Sequence, residues 1–500
     1  MLIRFGSYNR VAPPHEMPID GNGRIQCSAM KNFIYSDGRV RNVPGTQSYN
    51  SSISSNPVPW VKRSYHLLGD GSFVTRTLCY SNGYIYYGDD ALGTLTSCVT
   101  NLTTDAIPMD MTFQVSGNSI LFLFTGQDKP RKYDGNGSYA WENTILDDSI
   151  FMGVEFLDRA WYIKKNSSEL DYSEAIKPET IEDTLIIGND KNSCNMAITK
   201  GAEDRFFIFK NNSIYQLLGS TPATFKIKLV TDKYGLSCKR ALCAVGSGWI
   251  FQNTNDKELY FFGGTESSIT SLTEKEIRLR EIINTTVDSL NNVCMTVHDG
   301  MFRFAFQHRE SYNDINDSEL VYPINEPQAN GLPYWSLIRG TNVLSYSVWN
   351  QQGDNNELVT GRSDTGKLMY HGRSQDFDGV VVEKQIRTGE IVGSPDSVCD
   401  FDNFVIKGKP ASANKYGKFR YYLNGRFSDR AEANIDMEGE TRTVGGVKIQ
   451  KSLLLNEVIH AFMSYGRGNS ISFEIYDDQL ATQYEMYSIN FDVSEIYKLS

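Results

Sequence analysis

Residues 77–87 of the chain read Thr77-Leu-Cys-Tyr80, then Ser81-Asn-Gly83, then Tyr84-Ile-Tyr-Tyr87. Two short runs of aromatic and β-branched residues flank a turn in which Asn and Gly both tolerate positive φ, which is the signature of a β-hairpin. Similar hairpin patterns return along the chain, with turns near residues 82, 128, 166, 211, 255, 313 and 365. The sequence therefore predicts a fold built from repeated antiparallel hairpins.

The spacing of these turns indicates the architecture. They recur about every 47 residues, and one four-stranded blade of a β-propeller takes about 40–50. A single blade cannot bury both of its faces, whereas a closed ring of blades covers the faces and protects the edges. We therefore predict an all-β protein whose residues 51–379 form a six- or seven-bladed β-propeller. The alternative is a succession of unrelated hairpins in two sandwiches.

The two ends of the chain fall outside this repeat. Residues 1–50 form an N-terminal extension and are a candidate for the strand that closes the ring, which is why the blade count stays open. Residues 380–500 carry longer apolar and alternating runs, such as Phe401–Ile406 and Ser470–Ile475. These runs predict a C-terminal β-sandwich-like domain, or an antiparallel cap packed on the propeller.

One segment breaks the β pattern. Residues 274–283 place four apolar side chains mostly on one side at helical spacing, behind Thr273 as a candidate N-cap. The pattern predicts one short surface helix, inserted after the strand that ends at Phe262.

Composition and charge narrow the class of protein. The 500 residues carry 49 Lys plus Arg against 60 Asp plus Glu, a net charge of −11. No basic patch dominates, so a protein that grips nucleic acid through its phosphates is disfavoured, although an acidic chain can still line a passage for DNA. No apolar stretch is long enough for a membrane span, and the N-terminus lacks the pattern of a signal peptide, so we expect synthesis in a cytoplasm.

The sequence contains no recognisable catalytic or metal-binding motif. The eight cysteines are scattered and predict neither a zinc site nor a disulfide framework, and the six histidines are isolated. Nucleophile-elbow, phosphate-loop and dinucleotide-binding motifs are absent. The Asn/Asp-rich stretch Asn313–Asp317 is interpreted as a turn rather than a calcium site. We predict a protein that is not an enzyme, with no catalytic residue, no cofactor and no metal site.

A carbohydrate-binding or glycosidase-type β-propeller, such as a receptor-binding protein, is the alternative function. Sialidase-type propellers carry repeated Ser-x-Asp-x-Gly-x-x-Trp turns. The nearest stretches here are Ser363-Asp-Thr-Gly366 and Tyr133-Asp-Gly-Asn-Gly137, and both have the wrong spacing. An exposed aromatic pocket with paired carboxylates would favour this alternative.

Several phrases, in order, resemble the tail-hub proteins of short-tailed bacteriophages, which are also called packaged-DNA stabilisation or nozzle proteins. Their "R-x-x-P-G" phrase resembles Arg39–Thr46, and their "P-x-x-Y-D-G" turn resembles Lys129–Gly135. The later matches are Asp158–Tyr162 with Asp171–Glu174, Ala202–Phe209 with Ser213–Tyr215, Lys233–Leu236, Gly248–Phe251, and the segment 274–283. The resemblance covers residues 30–290, and residues 380–500 carry nothing similar.

The resemblance implies a structural role in a virion, in a tail assembled in the bacterial host cytoplasm. Such hubs are homohexamers that form a ring below the portal and adaptor proteins and extend the channel for double-stranded DNA. They anchor tail fibres or spikes and are plugged by a needle or gate until ejection. No residue of the family is catalytic, so the phrases are expected to serve turns and cores: Pro44-Gly45 a turn, and Trp161 and Tyr172 the packing of a blade.

Overall fold

The computed structural model describes residues 2–17, 24–36, 39–68, 70–88, 94–188, 193–201, 205–311, 315–328, 333–349, 356–374, 376–392, 397–409, 416–424, 426–436, 441–444, 447–450, 458–462, 466–477 and 485–498. Beyond residue 401, side chains are described only for residues 418–424, 469–477 and 489.

Seven four-stranded antiparallel sheets form a β-propeller, which confirms the predicted all-β fold class. In order from the innermost strand outward, blade 1 is Trp60–Leu67, Phe73–Ser81, Tyr84–Gly88 and Leu95–Val99; blade 2 is Met109–Val115, Asn118–Phe124, Arg131–Tyr133 and Glu142–Asn143; blade 3 is Ile150–Phe156, Arg159–Lys164, Glu169–Glu174 and Lys177–Ile186; blade 4 is Asn195–Lys200, Phe206–Lys210, Ile214–Leu218 and Lys226–Thr231. Blade 5 is Leu242–Val245, Gly248–Gln252, Leu259–Phe262 and Thr270–Ser271; blade 6 is Cys294–His298, Met301–Phe306, Ser318–Pro323 and Ser336–Arg339; blade 7 is Val343–Trp349, Glu357–Arg362, Leu368–Ser374 and Gly45–Ser48.

The seven predicted turns all occupy the same place in the architecture. Each one separates the second and third strands of a blade, from Asn82-Gly83 in blade 1 to residues 363–367 in blade 7. At the turn near residue 313 the flanking strands are those of blade 6, while residues 312–314 lie outside the described residues. The structure thus has seven blades, the larger of the two predicted counts.

The ring is closed by a strand from the start of the chain. Gly45–Ser48 is the outermost strand of blade 7 and pairs with the third strand, with Thr46 opposite His371 and Gln47 opposite Tyr370. Because the other three strands come from residues 343–374, hydrogen bonds across this blade tie the beginning of the propeller to its end. The expected turn at Pro44-Gly45 is wrong: Gly45 is the first residue of the closing strand.

Apolar side chains fill the wedges between neighbouring blades. One cluster joins blades 1 and 2, another blades 2 and 3, and a third blades 3 and 4. The largest cluster spans blades 4 to 6 and continues into the second sheet of the protein. Fully buried aromatic rings such as Trp161, Trp249 and Trp335 supply much of the buried area, and hydrophobic burial is the main term that stabilises such a ring.

The second sheet is built from both ends of the chain. It has thirteen strands: Leu2–Tyr8, Arg24–Lys31, Phe33–Ser36, Arg39–Asn42, Lys384–Thr388, Ile391–Val392, Ser397–Lys409, Tyr416–Leu423, Arg426–Asp436, Val458–Phe462, Gly466–Gly468, Ser470–Asp477 and Glu485–Lys498. A separate hairpin joins Thr441–Val444 to Val447–Gln450. The first strand pairs with the last, with Leu2 opposite Asn490. The expected C-terminal β-rich region is thus completed by residues 2–42, which the sequence placed in a separate extension.

The predicted helix at residues 274–283 is wrong in position. That segment forms turns and the short 3₁₀ helix Leu279–Glu281, with Arg278 in a left-handed conformation at φ 48°. The buried carboxylate of Glu258 accepts hydrogen bonds from the backbone N–H of Leu279 at 2.9 Å and from the Thr273 hydroxyl at 2.6 Å, which holds the segment in a non-helical path.

The α-helix in the described residues is Val287–Asn292, capped by Thr286, whose side chain accepts from the Ser289 N–H. The other 3₁₀ turns are Pro14–Glu16, Pro222–Thr224 and Glu266–Ser268.

A buried carboxylate joins the propeller to the second sheet. Glu276, in the connection between blades 5 and 6, accepts hydrogen bonds from Gln26 Nε2 at 2.7 Å and from Ser7 Oγ at 3.2 Å. Gln328 Nε2 donates to both carboxylate oxygens at 3.0 Å. Burial raises the pKa of Glu276 to about 7, although these hydrogen bonds act in the opposite direction. The contact between the propeller and the second sheet at Glu276, called the seam below, therefore depends on a group that ionises near neutrality.

We expect Gly45→Ala to destabilise the closed ring by about 1–3 kcal/mol. A Cβ at this position would lie 2.1 Å from the carbonyl oxygen of Asp376, which is backbone and cannot rotate away. Chemical denaturation of the full chain measures the change. Gly137→Ala is the matched control, since nothing lies within 4 Å of its Cβ position. Equal stability of the two variants would contradict this account of the closing strand.

The seam at Glu276 predicts a pH dependence. The pKa in the fold, about 7, lies above the ordinary value of 4.5, so the folded protein holds a proton that the unfolded chain releases, and stability falls as pH rises through this window. We expect the melting temperature of the wild type, relative to Glu276→Gln, to fall between about pH 5 and about pH 8. Glu274→Gln, at an exposed neighbour, is the control, and a pH-independent difference between wild type and Glu276→Gln would refute the prediction.

Candidate functional site: the axial channel

The innermost strands of the seven blades surround a channel along the propeller axis. Its cavity has a volume of about 670 Å³ and takes lining residues from all seven blades. Cavities of roughly 300–1,000 Å³ are the usual size for small-molecule sites. The channel is therefore the candidate site that the fold itself creates.

Arg240 lies across one mouth of this channel. It belongs to the turn Cys238–Arg240 that leads into blade 5. Its guanidinium donates to the carbonyl oxygens of Pro59 at 3.0 Å, Leu344 at 2.6 Å and Asn292 at 3.0 Å. These acceptors stand at the beginnings of blades 1, 7 and 6, on other sides of the ring. A fork of donors that reaches three other blades closes this end of the channel and ties their beginnings together.

Lys239 completes the closed end on the opposite side. Its ammonium donates to the carbonyl oxygen of Ile107, just before blade 2, and lies 5.5 Å from the ring centre of Phe151 in blade 3. Burial, and then the neighbouring charge of Arg240, lower the pKa of Lys239 to about 7. Two adjacent basic side chains, both half-buried, therefore share one end of the channel.

The wall of the channel is polar on one side and apolar on the other. On the side of blades 1 and 2, Lys62 pairs with Asp110 at 2.7 Å, and the indole N–H of Trp60 donates to the same carboxylate at 2.8 Å. The side of blades 3, 5 and 6 carries Met152, Leu242, Ala244 and Met295. The channel thus has an apolar wall beside a cationic closed end.

A buried polar network supports the wall between blades 6 and 7. The hydroxyl of Tyr346, which lines the channel, donates to Glu319 at 2.5 Å, and Arg303 lies 3.5 Å from the same carboxylate. Burial alone would raise the pKa of Glu319, but the charge of Arg303 and these contacts lower it overall. Burial also lowers the pKa of His371, to about 4. The network is a buried ion pair of blade 6 that Tyr346 of blade 7 joins through a hydrogen bond, while Arg303 Nε and Glu319 Oε2 are left without a hydrogen-bond partner.

A second cleft, of about 1070 Å³, lies between blade 6 and the second sheet. Three ion pairs lie along it. Arg10 pairs with Glu281 at 2.6 Å across the contact between the two parts of the fold, Arg339 pairs with Asp317 within blade 6 at 2.8 Å, and Lys31 pairs with Glu383 on the side of the second sheet at 2.5 Å. This cleft is a charge-paired contact between the two parts of the fold.

The phrases that carry the resemblance lie in blade cores and connections. Trp161 and Tyr172 are cross-strand neighbours in blade 3, with ring centres 5.0 Å apart, and Trp161 also contacts Phe206 of blade 4. The structural role predicted for both is confirmed. Gly135 has φ 87°, and a Cβ there would lie 2.6 Å from His66. His66 is itself a buried core residue that hydrogen-bonds with Ser64 and Ser119.

Other sequence expectations are reported for the described residues only. All eight cysteines lie within them and are free thiols, five of them buried. No three His, Cys, Asp or Glu side chains in this part of the chain lie close enough to hold a metal ion together. No helix in the same residues has the length and apolarity to cross a membrane. Residues 312–314 of the Asn/Asp-rich stretch lie outside the description.

The sequence analysis missed Lys239 and Arg240. Both follow Cys238 in a short polar turn that looks like any solvated surface turn. The available signal was a pair of adjacent cations directly before an apolar strand, with no acidic residue beside them in the sequence. Their carbonyl acceptors lie far away along the chain, so their role follows only from closure of the ring.

Comparison with known proteins identifies no family for this chain. No protein-family model matches the chain, and no curated protein matches it. Among solved structures it is similar to the β-propeller domain of Cps50 (Swd1) from Myceliophteria thermophila, with 9% identity over 67% of this chain and 100% of that chain and a TM-score of 0.40. It is also similar to a catalytically inactive virginiamycin B lyase from Staphylococcus aureus, solved with quinupristin, with 12% identity over 65% and 98% of the two chains and a TM-score of 0.40.

A third similar structure is PorZ, a bacterial surface component of the type-IX secretion system of Porphyromonas gingivalis. The identity is 11%, the TM-score is 0.35, and the match covers 67% of this chain and 38% of that one, so this chain spans well under two thirds of PorZ. At such identities the likeness concerns the propeller fold alone. The chain is a seven-bladed β-propeller with a second sheet made from both chain ends.

We expect Arg240→Lys to destabilise the propeller by about 2–3 kcal/mol, because an ammonium cannot reach three separate carbonyl groups and leaves buried acceptors unpaired. Lys239→Met, by contrast, removes a half-buried basic group that no carboxylate neutralises and is expected to leave stability unchanged or higher. Thermal unfolding of both variants tests the contrast. A larger loss for Lys239→Met than for Arg240→Lys would overturn the assignment.

Proposed function

We propose that this protein is a structural, non-catalytic component of a bacteriophage short tail, located in the virion. In this role a homohexameric ring lies below the portal and adaptor proteins, extends the channel for double-stranded DNA, helps to retain packaged DNA and supports its ejection. The same ring anchors fibres or spikes and is closed by a needle or gate. Assembly takes place in the bacterial host cytoplasm.

The supporting observation is where the family-like phrases lie in the fold. The first of them, Arg39–Thr46, runs into the closing strand of blade 7. The later ones follow blades 2 to 4 in chain order: Lys129–Gly135 contains the third strand of blade 2, Asp158–Glu174 the second and third strands of blade 3, and Arg205–Tyr215 the second strand of blade 4 with the start of its third. Residues 233–251 follow with the start of blade 5. Similar motifs in several consecutive blades support a shared architecture better than a single local match does.

The closure of the fold is a second support. A tail component must keep its shape beside packaged DNA, and here the ring is closed by backbone pairing and fixed to the second sheet through Glu276. The first and last strands of the chain are paired within that sheet. Interactions of this kind favour a building block over a molecule that opens and closes around a substrate.

The closed end of the axial channel constrains the path of DNA in this proposal. Arg240 and Lys239 bridge the beginnings of several blades, so the duplex cannot run through an individual propeller. It would pass along the axis of the ring, between subunits. The net charge of −11 suits such a passage, because repulsion keeps a polyanion from adhering to the wall.

The carbohydrate-binding alternative gains no such support. Five of the six tryptophans are buried: Trp60, Trp161, Trp249, Trp335 and Trp349. The sixth, Trp141, is half-buried and stacks on Tyr133 with ring centres 5.2 Å apart. We therefore propose one function only.

The proposal predicts ring formation with a large subunit interface, on the order of 2,000 Å² or more. The decisive measurement is quantitative mass spectrometry of short-tailed phage particles that encode this chain, which should give the copy number of one hexameric ring relative to the portal. Light scattering of the purified chain with its adaptor ring gives a second readout.

Absence of the chain from purified virions, or a monomer in every condition including with the adaptor ring, would refute the proposal. A monomer in isolation is expected if assembly needs the adaptor as a template. Gly137→Ala, which leaves the fold intact, serves as the control preparation for the scattering measurements.

A further inference from the structure

We propose that the axial channel is a binding site for a small amphiphilic carboxylate, with the anionic group at the closed end beside Lys239 and Arg240 and the aliphatic part against the wall of blades 3, 5 and 6. This inference does not depend on the proposed tail function. It follows from the chemistry of the two ends and the wall of one cavity.

The closed end lacks a negative charge. Lys239 donates to a single backbone carbonyl and rests on an aromatic ring, and no carboxylate contributes to its electrostatic surroundings. The Nε of Arg240 is buried without a hydrogen-bond partner. The nearest acidic group of the channel, Asp110, is already held by Lys62 and Trp60. Desolvation of a half-buried basic group without a counter-charge disfavours its charged form, and an incoming carboxylate offsets that cost.

The wall next to the closed end suits an aliphatic chain. Met152, Leu242 and Met295 come from three different blades and project into the cavity near the beginnings of their strands. Methionine side chains adapt to irregular apolar ligands because their unbranched thioethers are flexible. Further along, Ala244 leaves room, since it is exposed within the channel. This combination favours a ligand with one charged end and one apolar end over a plain anion such as phosphate.

Size and access agree with this class of ligand. The 670 Å³ cavity has the volume of an ordinary small-molecule site. Since Arg240 and Lys239 close one mouth, a ligand enters from the other, where Phe73 is 56% exposed beside Tyr65 and Gln114. A channel with one open mouth retains a ligand, whereas a through-channel would let it pass.

Isothermal titration calorimetry of the full chain with octanoate tests the inference. We expect saturable binding that is at least about tenfold tighter than that of 1-octanol, which lacks the charge, or of inorganic phosphate, which lacks the chain. The same anionic end could belong to a peptide, so N-acetyl-Gly-Leu with a free carboxylate forms a second arm. Tighter binding of the peptide than of octanoate would identify a chain terminus as the source of the carboxylate and still support the site.

Lys239→Met is the primary variant and should weaken octanoate binding at least about tenfold while 1-octanol binding stays unchanged. Lys226→Met removes an exposed lysine elsewhere on the propeller and is the matched control. Ala244→Phe fills the channel with a ring and should abolish binding of both octanoate and 1-octanol, which keeps the test valid if Lys239→Met fails to fold.

Three results would overturn the proposal: no octanoate binding to the wild type, equal octanoate binding to wild type and Lys239→Met, or undiminished binding to Ala244→Phe. None of these results bears on the copy number of the chain in virions, so failure of this inference and failure of the proposed function are separate findings.

Discussion

Closure of the ring by Gly45–Ser48 is the constraint on which the rest of the structure depends. Seven wedge-shaped sheets bury their faces only against one another, so each interblade core requires the ring to be complete. Because the closing strand comes from the start of the chain, residues 2–42 are brought beside residues 384–498, and the second sheet forms where they meet. Asp376 lies so close to the strand that only glycine fits at position 45. One short backbone pairing thus determines both parts of the fold.

Local sequence patterns predicted the repeated hairpins of the propeller. They did not predict elements whose conformation depends on residues far away in the sequence. Hairpin turns such as Asn82-Gly83 depend on neighbouring residues alone, so they marked every blade. The segment 274–283 has helical spacing. However, Glu258, just before the third strand of blade 5, accepts hydrogen bonds from backbone N–H groups of this segment, and Arg278 has a left-handed conformation. The second sheet was missed as a unit because its strands are separated by the entire propeller, and a pairing such as Leu2 with Asn490 leaves no sequence signal.

The same distinction applies to the candidate site: roles that depend on neighbouring strands were predicted, and roles that depend on distant residues were not. The sequence correctly predicts that Trp161 and Tyr172 are packing residues, since paired aromatics in adjacent strands form cores. It gives no sign that Lys239 and Arg240 meet carbonyl groups from four other parts of the ring. The whole chain has a net charge of −11, but the fold places two basic side chains together at the closed end of the channel. Because these two side chains close one end of the axial channel, DNA cannot pass through a single propeller. A tail ring would need its passage between subunits.

The position of the closing strand also sets the timing of folding during synthesis. Ser48 leaves the ribosome roughly 320 residues before its partner strand begins at Leu368, and at about 5–20 residues per second this interval is on the order of half a minute. Throughout it, the growing row of blades has an uncovered apolar face at each end, and residues 2–42 lack the C-terminal strands with which they pair. This apolar surface favours association with other chains until blade 7 is complete. The ring that is so firmly closed at the end is therefore most vulnerable while it is being made.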